Sequence, residues 1–313
     1  MASKLVINNI IKRSFSSTSA LNRQINSVTV IGSGLMGSGI AQVTAEAGYS
    51  VYLVDQNDTA LNKALKTIET SLTRSTKKKF NKEPDHAVRY IKDTMDRIVT
   101  TTKVDAGAEK SDLIIEAIVE NIQAKHDLFS KLDKISPNTT IFTSNTSSLP
   151  IAEIAEAVSR KDKFGGLHFF NPVPVMKLLE VIKTHETSDA TYRTLLEYGL
   201  SIGKTTVECK DTPGFIVNRL LVPYMFEAVK MYERGDASFQ DIDTAMKLGA
   251  GYPMGPFELI DYVGLDTTKF IVDGWKKRFP EDPTFQSSVV IDQLVAEGRL
   301  GRKSGEGFYN YKK

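Results

Sequence analysis

The chain of 313 residues holds a single cysteine, Cys209. One thiol excludes an internal disulfide framework and any multi-cysteine metal site within the chain. Histidine is scarce too. Only His86, His126, His168 and His185 are present, so any histidine chemistry must use one of these. No apolar run approaches the roughly 18 residues that a membrane-spanning helix needs. Net charge is only +2, from 40 basic and 38 acidic residues. A protein held to nucleic acid by a broad basic surface carries a larger excess. What remains is an ordinary globular composition, 41% hydrophobic and 25% charged. At about 100–200 residues per domain, two domains are expected.

Acidic residues are missing from one stretch in particular. No Asp or Glu precedes Glu46, while residues 1–23 carry Lys4, Lys12, Arg13 and Arg23 together with Ser14, Ser16, Ser17 and Ser19. A basic, serine-rich, acid-free start reads as a mitochondrial transit peptide, with a disordered tail as the plainer alternative. Arg13-Ser14-Phe15 resembles a matrix-protease cleavage site. Cleavage after Phe15 would remove Lys4, Lys12 and Arg13 and turn the net charge from +2 to −1. The expected destination is the mitochondrial matrix.

After this segment the β-branched run Val28–Ile31 leads into Gly32-Ser33-Gly34-Leu35-Met36-Gly37. Met36, Ile40, Val43 and Ala47 then recur at helical spacing, and Val51–Val54 ends at Asp55. That is one strand–turn–helix–strand unit. Residues from about Thr59 to Arg97 are long, polar and helical in pattern, broken near Glu83-Pro84. They read as a helical hairpin inserted between strands. Leu113–Ala117, Thr140–Ser144, Lys163–Phe169, Leu178–Lys183 and Thr205–Cys209 read as strands, and Asn121–Ile135 as a helix. Past Asp211-Thr212-Pro213-Gly214 the pattern turns wholly helical, punctuated at Gly235, Gly249–Gly255, Gly264 and Pro280. The fold class is therefore α/β: a Rossmann-like domain over 24–210 with an inserted hairpin, followed by an all-α domain over 211–313.

A lone GxGxxG is weak, but here it follows a strand, opens a helix and sits inside a βαβ unit. Gly32 permits the tight turn, Gly34 lets a pyrophosphate approach the backbone, and Gly37 lets helix and strand pack closely. The helix N-terminus, including the backbone of Leu35 and Met36, offers free N–H groups to the phosphates. Asp55 suits the ribose hydroxyls and repels a 2′-phosphate, which favours NAD over NADP. FAD uses the same fingerprint and is the stronger competitor.

With a nicotinamide as hydride carrier, the protein must manage a proton, and histidine suits that task near neutrality. His86, His126 and His185 sit in polar contexts and are expected at the surface. His168 instead ends the run Phe164-Gly165-Gly166-Leu167, at a strand end where open α/β sheets place ligands. Glu180, inside Leu178–Ile182, needs a partner if buried. If the turn Asn171–Pro174 joins the two strands, Glu180 can hold one imidazole nitrogen while the other faces substrate. On pattern alone, a core histidine and an unrelated salt-bridged glutamate fit equally well. Ser144–Ser148 follows a strand and is expected to turn its hydroxyls to the same crevice. Asn218, near a helix start, could hold a carbonyl oxygen. A hydrogen-bonded turn and a simple cap are the bland alternatives. Arg74, Lys77, Lys78, Lys79 and Lys82 form a basic cluster on the hairpin. It is either a solvated face or a receiver for an anionic substrate tail. No aromatic stacking pattern accompanies it, so nucleic acid is not expected.

Taken in order, these motifs resemble the short-chain L-3-hydroxyacyl-CoA dehydrogenase family, from about Ile25 to Tyr311. The most specific pieces are Gly32–Gly37 with Asp55, Ser144–Ser148, Leu167–Pro172, Asp211–Arg219 and Gly249–Pro256. The resemblance implies NAD-dependent oxidation of an L-3-hydroxyacyl-CoA to the 3-ketoacyl-CoA in fatty-acid β-oxidation. It matches His168 to the catalytic base, Glu180 to the acid that orients it, and Ser147 to the serine near the substrate hydroxyl. It matches Asn218 to the asparagine supporting the reacting centre. It also matches Asp55, Glu120, Lys125, Ser147, Asn171 and Lys303 to NAD contacts, and Ser71 and Lys78 to coenzyme A contacts. It implies a homodimer through the helical domain and no metal. Zinc alcohol dehydrogenases are disfavoured for want of ligands, and the one Tyr-x-x-x-Lys spacing, Tyr309 to Lys313, lies at the chain end. A related dehydrogenase of free sugar acids, and a non-catalytic crystallin-like protein keeping the fold, are the alternatives.

Overall fold

The computed structural model describes residues 25–312. The transit-peptide expectation over 1–23 lies outside the described residues. The chain opens with β1 (Ser27–Ile31), α1 (Leu35–Glu46) and β2 (Ser50–Val54), the βαβ unit read from the sequence. The hairpin follows as α2 (Asp58–Lys79) and α3 (Pro84–Met95). Asn57 starts α2 by accepting a hydrogen bond from the Ala60 amide at 2.8 Å. Pro84, with its preset φ and no N–H to satisfy, starts α3.

Next come β3 (Ile98–Thr101), α4 (Val104–Ala108), β4 (Leu113–Glu116), α5 (Ile122–Ile135), β5 (Ile141–Ser144), α6 (Ile151–Ala155), β6 (Phe164–Phe169), β7 (Leu178–Lys183), α7 (Asp189–Ser201) and β8 (Thr205–Lys210). The five strands expected after the hairpin start or stop within a residue of where the pattern put them. Four elements went unread in the sequence. β3, α4 and α6 have only four or five residues each, too few to display a period. α7 buries polar Thr191 and Thr194 beside Tyr192, Leu195 and Tyr198, which blurs its apolar stripe.

The strands form one sheet in the order β3-β2-β1-β4-β5-β6-β7-β8. β1 to β6 run parallel, β7 is antiparallel to β6, and β8 is parallel to β7. Strand order reverses between β1 and β4, which opens a crevice at their carboxyl ends. Alternate strand residues feed two cores, as the two-residue period of a strand requires. Val28 and Val30 join α1, α2 and α7 on one face. Ile114 and Phe142 join Phe129, Leu132 and Ile151 on the other.

After β8 come α8 (Val217–Glu233), α9 (Phe239–Ala250), α10 (Pro256–Val263), α11 (Leu265–Arg278) and α12 (Val289–Ala296). They enclose a third core around Phe226, Phe257, Trp275 and Leu294. Their breaks fall at the glycine and proline punctuation seen in the sequence. No helix among the described residues is long and apolar enough to cross a membrane.

Candidate active site

β1 runs straight into Gly32, whose φ of +99° is a left-handed backbone that favours glycine. A Cβ there would sit 2.5 Å from the Ala117 carbonyl oxygen, and one on Gly37 would sit 1.7 Å from that of Gly32. Both glycines are thus demanded by packing. Gly34 differs: a Cβ on it would meet nothing within 4 Å. It borders a cleft of about 480 Å³ that Asp55, Ala117 and Leu128 also line. Gly34 is the N-cap of α1 and supplies no side-chain cap. Leu35 is exposed, whereas the Met36 side chain is half-buried against the core. An open glycine, an uncapped helix start and an acid at the end of β2 fit a dinucleotide.

Asp55 is prepared for its place. One carboxylate oxygen accepts from the Ser33 amide at 2.7 Å and the Ser33 hydroxyl at 2.6 Å. The other accepts from the Gln56 amide at 2.7 Å. Burial pushes the pKa up, but the Ser33 hydroxyl and the two amides outweigh it and hold the carboxyl below its ordinary value.

Across the sheet, His168 on β6 and Glu180 on β7 are register partners of an antiparallel pair. Directly opposed residues project on the same face. His168 Nδ1 lies 2.6 Å from one Glu180 carboxylate oxygen, with both residues buried. The other carboxylate oxygen accepts from the Ile216 and Val217 amides at 3.1 and 2.8 Å. A fully buried carboxylate is thereby satisfied on both oxygens. The imidazole lies between Phe170 and Phe215, at centroid distances of 4.5 and 5.4 Å. Of the remaining histidines, His86 and His185 are exposed. His126, expected at the surface, is only half-buried there: its Nε2 lies 2.7 Å from the Glu153 carbonyl oxygen and tethers α5 to α6.

The Ser144–Ser148 segment departs from expectation in part. The Ser144 hydroxyl donates inward to Glu116 at 2.6 Å, and the Thr146 hydroxyl to Glu120 at 2.5 Å. These two hydroxyls therefore hold the loop rather than face the crevice. Ser147 is fastened through its backbone. Its amide donates to Glu120 at 3.0 Å, and its carbonyl oxygen accepts from Asn218 Nδ2 at 3.4 Å. Beneath the loop Lys125, 1% exposed, bonds Glu116 at 2.6 Å and pairs with Glu120 at 3.3 Å. Burial raises the Glu116 pKa against the opposing pull of Lys125. At Glu120, Lys125 and the loop donors prevail over burial and lower it.

Ser71, Lys63, Lys66 and Arg74 on α2 line a second cleft of about 1090 Å³, with Asn171 and Pro172 opposite. Lys78 lies one turn beyond Arg74 on the same helix face, exposed. Lys79 is diverted onto the Tyr90 ring, 4.4 Å from its centroid. Lys303 pairs with Asp266 in the helical domain. Nothing in its contacts bears on NAD, so that assignment stays with the resemblance.

Sequence reasoning missed Glu116, Phe170 and Phe215. Glu116 carried the signal that marked Glu180, a carboxylate closing an apolar strand. Phe170 stands two residues from His168. Nothing in the identity of Phe215 announces its left-handed backbone, with a φ of +53°.

Comparison with known proteins agrees with this layout. A family model described as the 3-hydroxyacyl-CoA dehydrogenase NAD binding domain matches residues 27–212. The model for the C-terminal domain of the same family matches 214–311. The chain is 59% identical to the mitochondrial hydroxyacyl-coenzyme A dehydrogenase of Rattus norvegicus, over 92% of each chain. It is 57% identical to that of Homo sapiens, over 96% of this chain and 95% of the relative. The crystal structure of (S)-3-hydroxybutyryl-CoA dehydrogenase from Ralstonia eutropha superposes with a TM-score of 0.87 at 39% identity, covering 92% of this chain and all of that one. The chain therefore belongs to the 3-hydroxyacyl-CoA dehydrogenase family and is an NAD-dependent oxidoreductase.

Proposed function

We infer that the protein oxidises L-3-hydroxyacyl-CoA thioesters to 3-ketoacyl-CoA in mitochondrial fatty-acid β-oxidation, with His168 as the base and Glu180 as its orienting acid. NAD, when bound, supplies the hydride acceptor, so the chain itself has to handle the hydroxyl proton. His168 Nδ1 is committed to Glu180 at 2.6 Å, which leaves Nε2 to take that proton from the substrate. The imidazolium so formed is stabilised by the Glu180 carboxylate, which the Ile216 and Val217 amides hold in place. Ser147 and Asn218, linked to each other at 3.4 Å, frame the substrate oxygen. Ser71 and Lys78 receive the coenzyme A portion along the basic face of α2.

Three finer readings accompany this one. The matrix is the proposed location, because relatives bear mitochondrial names and residues 1–23 are basic and acid-free. The division into domains is placed after residue 210, where β8 ends. A homodimer through the helical domain is supported by Leu220, Leu248 and Phe270, which are 70%, 84% and 58% exposed there.

The buried His168–Glu180 pair carries the proposal. His168→Gln is expected to lower kcat by roughly 100- to 10,000-fold, the usual worth of a positioned base, with NADH affinity unchanged. The assay is acetoacetyl-CoA reduction with NADH, run beside free hydroxy-acid substrates. Near-normal turnover in this variant removes His168 from the role, and a preference for free acids removes the thioester.

A further inference from the structure

The segment joining the sheet to the helical domain is built into the dyad. Asp211 accepts from the Ile151 and Ala152 amides of α6 at 2.9 and 2.8 Å, which pins the segment to the sheet side. The chain then turns on two consecutive left-handed residues, Gly214 at φ +75° and Phe215 at +53°. Phe215 is the only non-glycine residue with positive φ among the described residues. The turn is closed by a bond from the Phe215 amide to the Thr212 carbonyl oxygen at 2.9 Å. A Cβ on Gly214 would sit 2.5 Å from the Trp275 ring of the helical core. The Phe215 ring, on the other side, packs against the His168 imidazole. The next two amides, Ile216 and Val217, donate to Glu180, and the residue after them is Asn218, whose amide reaches Ser147. α8 has no cap from its own N-cap side chain. Glu180, from another strand, takes that place at the positive end of the helix.

We propose that Phe215 is a positioning residue whose left-handed backbone aims the first turn of the helical domain at Glu180 and Ser147, so that the His168–Glu180 pair is held in its working geometry only while that domain is seated. This rests on the dyad reading above. Left-handed backbone in a bulky residue is uncommon and is kept where surrounding structure enforces it, often at a functional site. Here the wedge between Trp275 and His168 is that enforcement.

Two substitutions separate backbone from bulk. Phe215→Gly removes the ring but adopts positive φ freely, while Phe215→Val fills more of the space and resists it. The expected result is a kcat at least about tenfold higher for Phe215→Gly than for Phe215→Val, the factor that 1.36 kcal/mol of barrier represents. Both should bind NADH as the unaltered enzyme does, since the glycine turn is not touched. A role in packing alone reverses the order, because the larger side chain leaves the smaller void. Phe215→Val equal to or above Phe215→Gly therefore overturns the proposal. If Phe215→Val fails to bind NADH, Phe215→Ala takes its place in the comparison with the same expected order. His168→Gln is run alongside. Its collapse with the Phe215 order reversed removes only Phe215, and its survival removes the dyad reading and Phe215 with it.

Discussion

At His168 the two ring nitrogens have different fates. Nδ1 is fixed by a carboxylate whose remaining lone pairs are taken by main-chain donors. An imidazole held this way keeps its other nitrogen in one direction, as the proposed base requires. Asp55 shows the same economy, since Ser33 both orients and ionises it. Replacing Asp55 with Ser and Gln56, a cleft neighbour, with Arg should raise the ratio of NADP to NAD kcat/KM by about tenfold or more. A hydrogen bond to a charged group is worth roughly 1.5–3 kcal/mol, and 1.4 kcal/mol is a factor of ten. Unchanged preference in steady-state kinetics would count against Asp55 as the ribose contact. Cys209, the lone thiol, is pushed up to about 11 by burial and by the Glu180 and Asp211 charges, so it stays protonated and unreactive near neutrality.

Among the elements, the turn between β6 and β7 decides whether the dyad forms, and Lys204 staples it. The buried Lys204 ammonium, ahead of β8, donates to the Val173 and Met176 carbonyl oxygens. Burial, with Lys177 nearby and Glu46 opposing, lowers its pKa to about 8. Below that pH both folded and unfolded chains carry the charge, and the fold bears the cost of burying it. Between about 8 and the ordinary lysine value near 10.4 the unfolded chain holds a proton the folded chain has shed, so stability rises with pH. Denaturant melts at pH 7.5, 9 and 10 should show the unaltered protein gaining on Lys204→Met across that window. A flat difference would mean that Lys204 is not buried as described. Glu116, Lys125 and Glu120 perform a comparable service for the Ser147 loop, by tying β4 to α5 beneath it.

For the whole molecule, the proposed site draws on both proposed domains. The sheet contributes the glycine turn, Asp55, His168, Glu180 and Ser147. The helical unit contributes Asn218 and the two amides that finish Glu180. The helical unit also exposes bulky apolar side chains that the sheet does not cover. The proposed homodimer predicts that the unaltered protein sediments as a dimer and that charged substitutions at Leu248 and Phe270 together shift it to monomer at micromolar concentration. A monomeric unaltered protein removes the dimer, and an unaltered dimeric profile in the variant removes this face as its contact.

Elements with long, regular periodicity were legible from the residues alone. The βαβ unit, the hairpin and the five later helices follow from apolar spacing and from glycine and proline punctuation, which are local properties. The NAD-binding domain was legible too, because the glycine spacing encodes backbone geometry directly. The facing of His168 and Glu180 was settled by the assembled fold, since register across β6 and β7 depends on a turn held by Lys204, 31 residues beyond Val173 in the chain. That fold alone decided that Ser144 and Thr146 point inward and that Phe215 turns left-handed. Those outcomes depend on what packs against the backbone from distant segments, and no residue carries that information in its own identity.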